Sequence, residues 1–267
     1  MKPYLFVFLF LFSTNTHAQQ WFAELTAGTS SYNGDLTQKE FSITRIGPMV
    51  GFNLKYNTGD FVNIRAGISY AKFGANDLDN PDPGLQSRRL NFKTNVIELN
   101  VCAEVNVFDP ETYYSYPYIF GGVGLFHFNP YTYTDNGQKA FLQPLGTEGQ
   151  GLASYPDRKK YSLYQVCFPV GGGFKLNLKQ DWEISFELGY RILVTDYLDD
   201  VSKTYVNLKA LQESNGTIAG DLSYRKQQPF LEEGEKRGNS GVRDSYFFTG
   251  IKIATVIGKR KNAGWGD

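Results

Sequence analysis

The 267-residue sequence lacks an excess of charge of either sign. Lysine and arginine together number 27, and aspartate and glutamate also number 27, so the formal charge is zero. A basic surface is the first requirement for a nucleic-acid partner, and we therefore expect none. The aromatic share of 16% and the mean hydropathy of −0.36 are not the composition of a disordered chain.

Beyond residue 18 the sequence also lacks any apolar run approaching the roughly 20 residues that a membrane-spanning helix needs. If the chain enters a membrane, it must do so as a closed barrel, because hydrocarbon tolerates no unpaired backbone groups. The links between apolar segments show no convincing 3.6-residue period, which argues against a βαβ protein.

The N-terminus, MKPYLFVFLFLFSTNTHAQQ, has the order of a secretory signal. Lys2 supplies the cation, an apolar run extends from Tyr4 to Phe12, and Ala18 is the small residue at the cut. We expect residues 1–18 to be a signal peptide and residues 19–267 to form one outer-membrane barrel domain. A buried N-terminal strand is the alternative. Because no cysteine closely follows the run, a lipoprotein anchor is not expected.

Period-two alternation of apolar and polar residues predicts β-strands in most of the remaining chain. In WEISFELGYRILV, which starts at Trp182, apolar residues occupy every second position and Glu183, Glu187 and Arg191 lie between them. The fifth and eighth segments carry large residues in both phases, so their faces remain unassigned. The predicted strands are Trp21–Ser31, Arg45–Tyr56, Phe61–Phe73, Asn95–Phe108, Tyr116–Phe128, Tyr161–Leu178, Trp182–Thr195 and Ser245–Ile257.

Short and long connections alternate strictly along these strands. The short turns are Asn57–Asp60, Asp109–Ser115 and Lys179–Asp181, and the long links are Tyr32–Thr44, Gly74–Thr94, Asn129–Lys160 and Asp196–Asp244. This pattern predicts an eight-stranded antiparallel transmembrane β-barrel in the cell outer membrane, with short periplasmic turns and long extracellular loops.

A water-soluble barrel or sandwich is the alternative fold, because the same alternation could point its apolar face inward. Glycine mixed with charge on the polar face suits a narrow lumen better than a solvated surface. Aromatic residues near the strand ends suit the interfacial girdles of a barrel surrounded by outer-membrane lipid. These aromatic residues are Trp21, Phe61, Tyr116, Tyr161, Trp182 and Phe247.

Charged residues on the polar faces need partners inside a barrel, because unpaired buried charge is costly. Eight strands leave an interior just filled by side chains, so we expect a packed polar plug, with a conduction path or proton relay as the alternative. The expected network joins Glu24, Glu98, Glu104, Glu183 and Glu187 to Lys55, Arg65, Lys175 and Arg191.

Catalytic motifs are scarce. His127 could act as a base if Asp196, Asp199 and Ser202 approached it, but no serine lies in a G-x-S-x-G motif and a girdle position suits a lone histidine better. Asp196, Asp199 and Asp200 could bind a divalent cation, although a solvated loop bonded to its own backbone explains them better. We expect no enzyme activity and no cofactor.

The cysteines, Cys102 and Cys167, lie in the fourth and sixth predicted strands. If strands neighbour in chain order, these two strands are two spacings apart, about 9.6 Å, beyond the roughly 7 Å limit between bridged Cα atoms. We expect two free thiols in the lumen.

Four motifs carry a family resemblance: SSYNGDL, PYIFGGVGLFHFNP, ELGYRILVTDYLDDVS and RGNSGVRDSY. Together they resemble a family of small Bacteroidota outer-membrane barrels that includes the barrel subunit of the type IX secretion system. The chain departs from many such barrels by continuing past Ile257 as GKRKNAGWGD, where an aromatic terminus would serve the insertion machinery.

The resemblance implies a non-catalytic scaffold for protein secretion or gliding, with a periplasmic ring lipoprotein and its partner as possible partners. The alternatives are a free-standing barrel that stabilises the membrane or binds ligands through its loops, and a lipid-acting enzyme using His127. A scaffold would present its turns and tail to the periplasm. The candidate contact residues are Asp60, Asp109, Asp181, Lys259, Arg260 and Lys261.

Overall fold

The structure is a computed structural model that describes residues 20–37, 45–58, 61–179, 181–225 and 232–257. The predicted signal peptide, Asp60 and the tail cations Lys259, Arg260 and Lys261 lie outside the described residues.

Eight long strands form a closed antiparallel barrel in which each strand pairs with two neighbours. These strands are β1 (Gln20–Asn33), β2 (Gly47–Asn57), β3 (Val62–Asn76), β4 (Asn91–Asn106), β5 (Ser115–His127), β8 (Tyr164–Lys179), β9 (Trp182–Leu193) and β10 (Ser245–Ile257). Their order around the sheet is β3-β2-β1-β10-β9-β8-β5-β4, and a β3–β4 pairing closes it. The predicted fold is therefore confirmed.

The long links contain regular structure that the sequence did not predict. A short hairpin, β6 (Tyr131–Tyr133) and β7 (Lys139–Phe141), pairs with β4. The links also contain four short helices. The helices are α1 (Pro83–Arg88), α2 (Leu142–Leu145), α3 (Leu208–Asn215) and α4 (Thr217–Ser223), with a 3₁₀ turn at Asp77–Asp79. Helices this short are stabilised by packing rather than by local propensity, so their periodicity is weak.

No helix among the residues described is long and apolar enough to cross a membrane.

On each strand whose faces were predicted from the sequence, the apolar face points outward. This is the arrangement predicted for a barrel surrounded by lipid. On β9, Phe186 and Leu188 are 53% and 41% exposed, while Ser185 and Arg191 are buried. A water-soluble barrel would have the reverse arrangement, so that alternative is wrong. The outward apolar band along β4 and the residue that follows it runs from Ile97 to Val107, which at about 3.3 Å per residue and a tilt of about 40° makes it roughly 25 Å tall. A closed barrel with such a band is of the outer-membrane type.

Strands β5 and β10, whose faces the sequence left open, direct large aromatic rings inward. Tyr118 and Phe120 of β5 are buried, whereas Ile119 between them is 59% exposed. Glycines on β8 make room for these rings, because a Cβ at Gly171 would lie 2.7 Å from Phe120 and one at Gly173 would lie 2.8 Å from Tyr118. This close approach explains why glycine alternates with charge on the inner face.

The long links fold into a compact cap over one end of the barrel. Leu198 and Val201, which follow β9, are 0% and 2% exposed and belong to the same apolar cluster as the inward-facing barrel rings. Leu222 of α4 belongs to the same cluster. The cap and the upper barrel therefore share one core.

Candidate functional site

The middle of the barrel holds a network of charged side chains. All nine residues predicted for it lie inside, and β10 adds Lys252, which the sequence analysis missed because it left this face unassigned. With Lys252 included, five carboxylates meet five cations, so this network is balanced in charge. Its residues are Glu24, Glu98, Glu104, Glu183, Glu187, Lys55, Arg65, Lys175, Arg191 and Lys252.

Glu187 joins three strands of the barrel through its carboxylate. The Arg65 guanidinium donates to both oxygens, at 2.5 and 3.1 Å. The Lys252 ammonium donates at 2.6 Å and the Tyr118 hydroxyl at 2.8 Å. Four donated hydrogen bonds satisfy this carboxylate away from bulk water.

Glu104 forms a second centre beside it. The Lys175 ammonium bonds to one oxygen, and the Asn63 amide donates to the same oxygen at 3.2 Å. Arg65 reaches the other oxygen at 3.4 Å, which links this centre to the first. Lys175 also donates to Asn106 at 3.0 Å.

The remaining charges pair across the barrel. Lys55 Nζ lies 2.8 Å from Glu183 and 3.1 Å from Glu24. The Arg191 guanidinium donates to the two oxygens of Glu98 at 3.2 and 3.4 Å. Every predicted charge of the network therefore has an opposite charge within contact.

An aromatic layer lies between the network and the cap. The Tyr246 hydroxyl donates to Glu98 at 2.7 Å, and its ring packs 4.9 Å from Phe73 and 5.2 Å from Phe248. Phe126 meets the same ring edge to face at 5.9 Å. Tyr246 thus contacts both the charged network and the apolar core that the barrel shares with the cap.

Little space remains between these side chains. A cavity of about 20 Å³ lies in the lumen beside Arg65, Glu187 and Arg191, enough for about one water molecule. Within the described residues the arrangement is that of a packed polar plug. Cys102 and Cys167 also lie in this interior as free, buried thiols.

The motif TDYLDD lies in the core of the cap, so the expectation of a solvated loop is wrong for Asp199 and Asp200. Asp199 accepts a hydrogen bond from the Tyr32 hydroxyl at 2.5 Å. Asp200 accepts from Thr147 at 2.5 Å and from the Tyr161 hydroxyl at 2.7 Å. The carboxylates are buried because Leu198 and Val201, which flank them, pack into the shared core.

Two further charged groups, Glu148 and Arg237, organise the cap and have no local sequence signal. Arg237 Nη1 lies 3.1 Å from Glu148 and donates to the backbone oxygen of Asp200 at 2.7 Å. Glu148 also accepts from the backbone amides of Ser202 and Lys203, both at 2.9 Å. These contacts join the third and fourth long links.

Several carboxyl groups of the cap have raised pKa values. Burial and the nearby Asp244 raise the pKa of Asp199 well above its usual range. Burial raises the pKa of Asp196 to about 7, and the nearby carboxylates of Asp35 and Glu148 act in the same direction, whereas Ser202 and the cation of Arg243 lower the pKa. No cluster of three or more potential ligands is arranged for a metal ion in the described part of the chain.

We expect the cap to loosen as the pH rises from about 4 to about 7. The folded-state pKa of Asp196 lies above the unfolded value of about 3.9, so its contribution to stability is complete below that value and is lost as the pH rises through about 7. Backbone hydrogen exchange of residues 196–202, corrected for the intrinsic rate, should be faster at pH 8 than at pH 5. Asp196→Asn should reduce the difference without abolishing it, because burial also raises the pKa values of Asp199 and Asp244. Equal corrected rates in the parent protein at the two pH values would contradict this expectation.

His127 lies on the outer face of β5, at the long-loop end. Its ring is 4.7 Å from that of Tyr164, which is 64% exposed. Asp199 and Ser202 are buried in the cap, so the arrangement that a catalytic base would need is not formed among these residues. The geometry is that of an aromatic girdle.

The short-turn end presents an ordered turn between β4 and β5. Asp109 accepts from the Glu111 amide at 2.9 Å and from the Thr112 hydroxyl at 2.8 Å, and these bonds lower its pKa. Tyr113 and Tyr114 of the same turn are 51% and 62% exposed. Of this turn, only Asp109 was predicted from the sequence as a contact residue.

Asp181, the other described candidate at this end, is exposed and accepts from the Val256 amide through its backbone oxygen at 3.1 Å. It therefore lies beside the end of β10, from which the C-terminal tail departs.

Comparisons with known proteins add a family and a set of similar structures. A family model described as a domain of unknown function, DUF6089, matches residues 1–224. Similar solved structures include Neisserial surface protein A (10% identity, 89% of this chain and 97% of that chain, TM-score 0.43) and a major outer membrane protein from Thermus thermophilus (11%, 90% and 100%, 0.44). Another is Ail, the attachment invasion locus protein of Yersinia pestis (9%, 90% and 98%, 0.41). No curated protein matches the chain.

Proposed function

The chain belongs to the DUF6089 family, whose description assigns no function, and from the geometry of its barrel we propose a non-catalytic outer-membrane scaffold. The protein would anchor a periplasmic assembly of the protein secretion or gliding machinery. The motif resemblance favours the type IX secretion system, with a periplasmic ring lipoprotein and its partner as the bound components.

The filled interior is the observation that carries this proposal. Ten charged side chains pair within the lumen, an aromatic layer follows, and a cavity of about 20 Å³ remains beside Arg65. Paired side chains fill much of such an interior, as expected of a plug rather than of a pore. A barrel of this kind acts through the surfaces that it exposes at its two ends.

The turn between β4 and β5 supplies the contact surface on the periplasmic side. Its hydrogen bonds around Asp109 fix the backbone, so Tyr113 and Tyr114 are presented without a large loss of conformational entropy on binding. Exposed tyrosines on a rigid turn are typical anchors of protein interfaces. The carboxylates of Asp109, Glu111 and Asp181 would give this surface an acidic rim.

The orientation can be tested with cysteine labelling. Because Cys102 and Cys167 are buried, a new exposed cysteine should be the main target of a membrane-impermeant maleimide. We expect Asp135→Cys, in the hairpin at the long-loop end, to be labelled on intact cells, and Glu111→Cys only after the outer membrane is opened. The reverse labelling pattern would mean that the barrel has the opposite orientation, and the turn between β4 and β5 would then not face the periplasm.

The scaffold role is tested with Tyr113→Ser/Tyr114→Ser in the full-length protein. Recovery of periplasmic partners from detergent-solubilised membranes should fall by about tenfold or more, as expected for the loss of two exposed aromatic anchors. The matched control, Ile218→Ser/Val242→Ser, removes two exposed apolar side chains from the opposite end. Heat-modifiable mobility should remain that of the parent in both variants. Unchanged partner recovery in the turn variant would contradict the scaffold proposal.

Ligand binding by the cap is the second candidate function, because the long links form an ordered surface rather than separate loops. The ion pair of Arg237 with Glu148 and the hydrogen bonds of Asp200 hold this surface together. A phenotype that depends on the cap control residues Ile218 and Val242, and not on the turn, would favour this function.

A further inference from the structure

The outer face of the barrel carries a shallow apolar groove at mid-height. The groove has a volume of about 590 Å³ and extends over strands β2 to β5 and onto β8. Phe52, Ile68, Leu99 and Leu125 face each other along one row of paired residues, and Ala66 lies in the next row. At about 4.8 Å per strand, the four strands from β2 to β5 span roughly 14 Å, which is wider than one extended hydrocarbon chain.

Above the groove, the same strands lead to a basic patch on the outer face near the cap. Lys72 of β3, Lys93 of β4 and Lys139 of β7 are all exposed there, and Lys93 pairs with Tyr131 of the hairpin. The Lys139 ammonium lies 3.8 Å from the centre of the Tyr131 ring, and the Lys93 ammonium lies 5.4 Å from that of Tyr133. The aromatic rings therefore hold these cations at the level of the girdle.

The spacing between groove and patch fits one leaflet of a membrane. Lys72 lies four residues above Ile68 on β3, and Lys93 lies six residues above Leu99 on β4. At about 3.3 Å per residue and a tilt of about 40°, these separations are roughly 10 and 15 Å along the membrane normal. Half the apolar band of an outer-membrane barrel is about 12 Å, so a lipid whose chains enter the groove would carry its head group at the lysines.

The three lysines have their charge available for a ligand. The ion pairs of the described residues involve none of them. In contrast, the cations of the lumen all contact carboxylates. Three exposed ammonium groups over a girdle are complementary to the phosphates of an anionic lipid.

We propose that this outer face binds a phosphorylated glycolipid with several acyl chains in the leaflet at the long-loop end. The groove would take the acyl chains, and Lys72, Lys93 and Lys139 would bind the phosphates. The width of the groove and the presence of three cations favour a multi-acyl lipid with two phosphates over a two-chain phospholipid. The assignment uses the extracellular orientation proposed above, but the site is independent of any periplasmic partner.

The test uses the purified full-length barrel reconstituted in phosphatidylcholine vesicles that contain diphosphoryl lipid A. After mild extraction in detergent, native mass spectrometry measures the lipid retained on the folded barrel. Parallel vesicles contain dephosphorylated lipid A or phosphatidylglycerol in its place. We expect the parent to retain diphosphoryl lipid A at least about tenfold more than the dephosphorylated form, because the lysine–phosphate attraction is absent from the latter.

Two variants separate the patch from the groove. Lys72→Gln/Lys93→Gln/Lys139→Gln should lower retention by about tenfold or more, while the matched triple Lys159→Gln/Lys209→Gln/Lys236→Gln, with exposed lysines elsewhere in the cap, should not. Ala66→Trp fills the groove with an apolar ring and should also lower retention. Because Ala66→Trp keeps all three cations and the apolar band, it tests the site even where the lysine variant does not fold.

Three outcomes would overturn the proposal. Equal retention of phosphatidylglycerol and diphosphoryl lipid A would assign the patch to anionic lipids in general. If the matched triple variant lost as much lipid retention as the patch variant, retention would depend on the net charge of the protein and not on the three patch lysines. If Ala66→Trp left lipid retention unchanged, the groove would not be part of the lipid-binding site. A failure of partner recovery in the turn variant bears on the scaffold role and leaves this lipid site standing.

Discussion

Glu187→Gln is expected to lower the free energy of unfolding of the barrel by about 3–5 kcal/mol, since it removes the carboxylate that lies nearest to two buried cations. The side chain accepts from Arg65 at 2.5 Å and from Lys252 at 2.6 Å, and the nearest other carboxylate to Lys252 is Glu24 at 3.9 Å. Unfolding in urea of the barrel refolded into lipid vesicles measures the change.

The double variant Glu187→Gln/Lys252→Met is the control for this prediction. It leaves four carboxylates and four cations in the network and should recover part of the lost stability, so the two changes should not be additive. A single variant as stable as the parent would mean that Glu187 does not neutralise these cations. Additive losses would mean that Lys252 and Glu187 act independently.

Leu188→Arg is expected to cost about 2–4 kcal/mol and to impair insertion, because it puts a charge near the middle of the bilayer. Leu188 lies at the centre of the outward face of β9 and is 41% exposed. The fraction that folds into vesicles and the unfolding free energy of that fraction measure the effect.

Two controls accompany this substitution. Leu188→Ala shortens the same lipid-facing side chain without adding charge, and Ser185→Thr changes the buried face of the same strand. Both should insert like the parent. If Leu188→Arg also did so, the outward face of β9 would not meet lipid.

Much of the interior network was predictable, since strand alternation assigns side chains to faces without knowledge of the partner strands. Glu183, Glu187 and Arg191 follow from the pattern of β9 alone. Lys252 could have been found in the same way, because it lies between Ile251 and Ile253 on β10. The large aromatic residues in both phases of the first half of that strand hid this signal.

The cap was not predictable by the same reasoning. Asp199 and Asp200 lie in a segment rich in polar residues, which usually indicates a solvated loop. Their burial depends on contacts with Tyr32, Thr147 and Tyr161, which lie between 39 and 167 residues away along the chain. No local pattern reports such contacts.

The sequence by itself determined the eight long strands, the alternation of faces on most of them, and the unequal connections at the two ends. These properties depend on period two and on turn chemistry, both of which act over a few neighbouring residues. Closure of the sheet into a barrel then follows, because a sheet that spans the hydrocarbon core cannot leave the backbone groups of an edge strand without hydrogen bonds.

Only the tertiary structure decided which charges pair, how the cap closes, and where groove and lysine patch meet on the outer face. Lys55 meets Glu183 across 128 positions of the chain, and Tyr32 meets Asp244 across 212. The free energy of each such contact depends on the geometry of the closed barrel and on the exclusion of water, and these arise only when distant segments pack together.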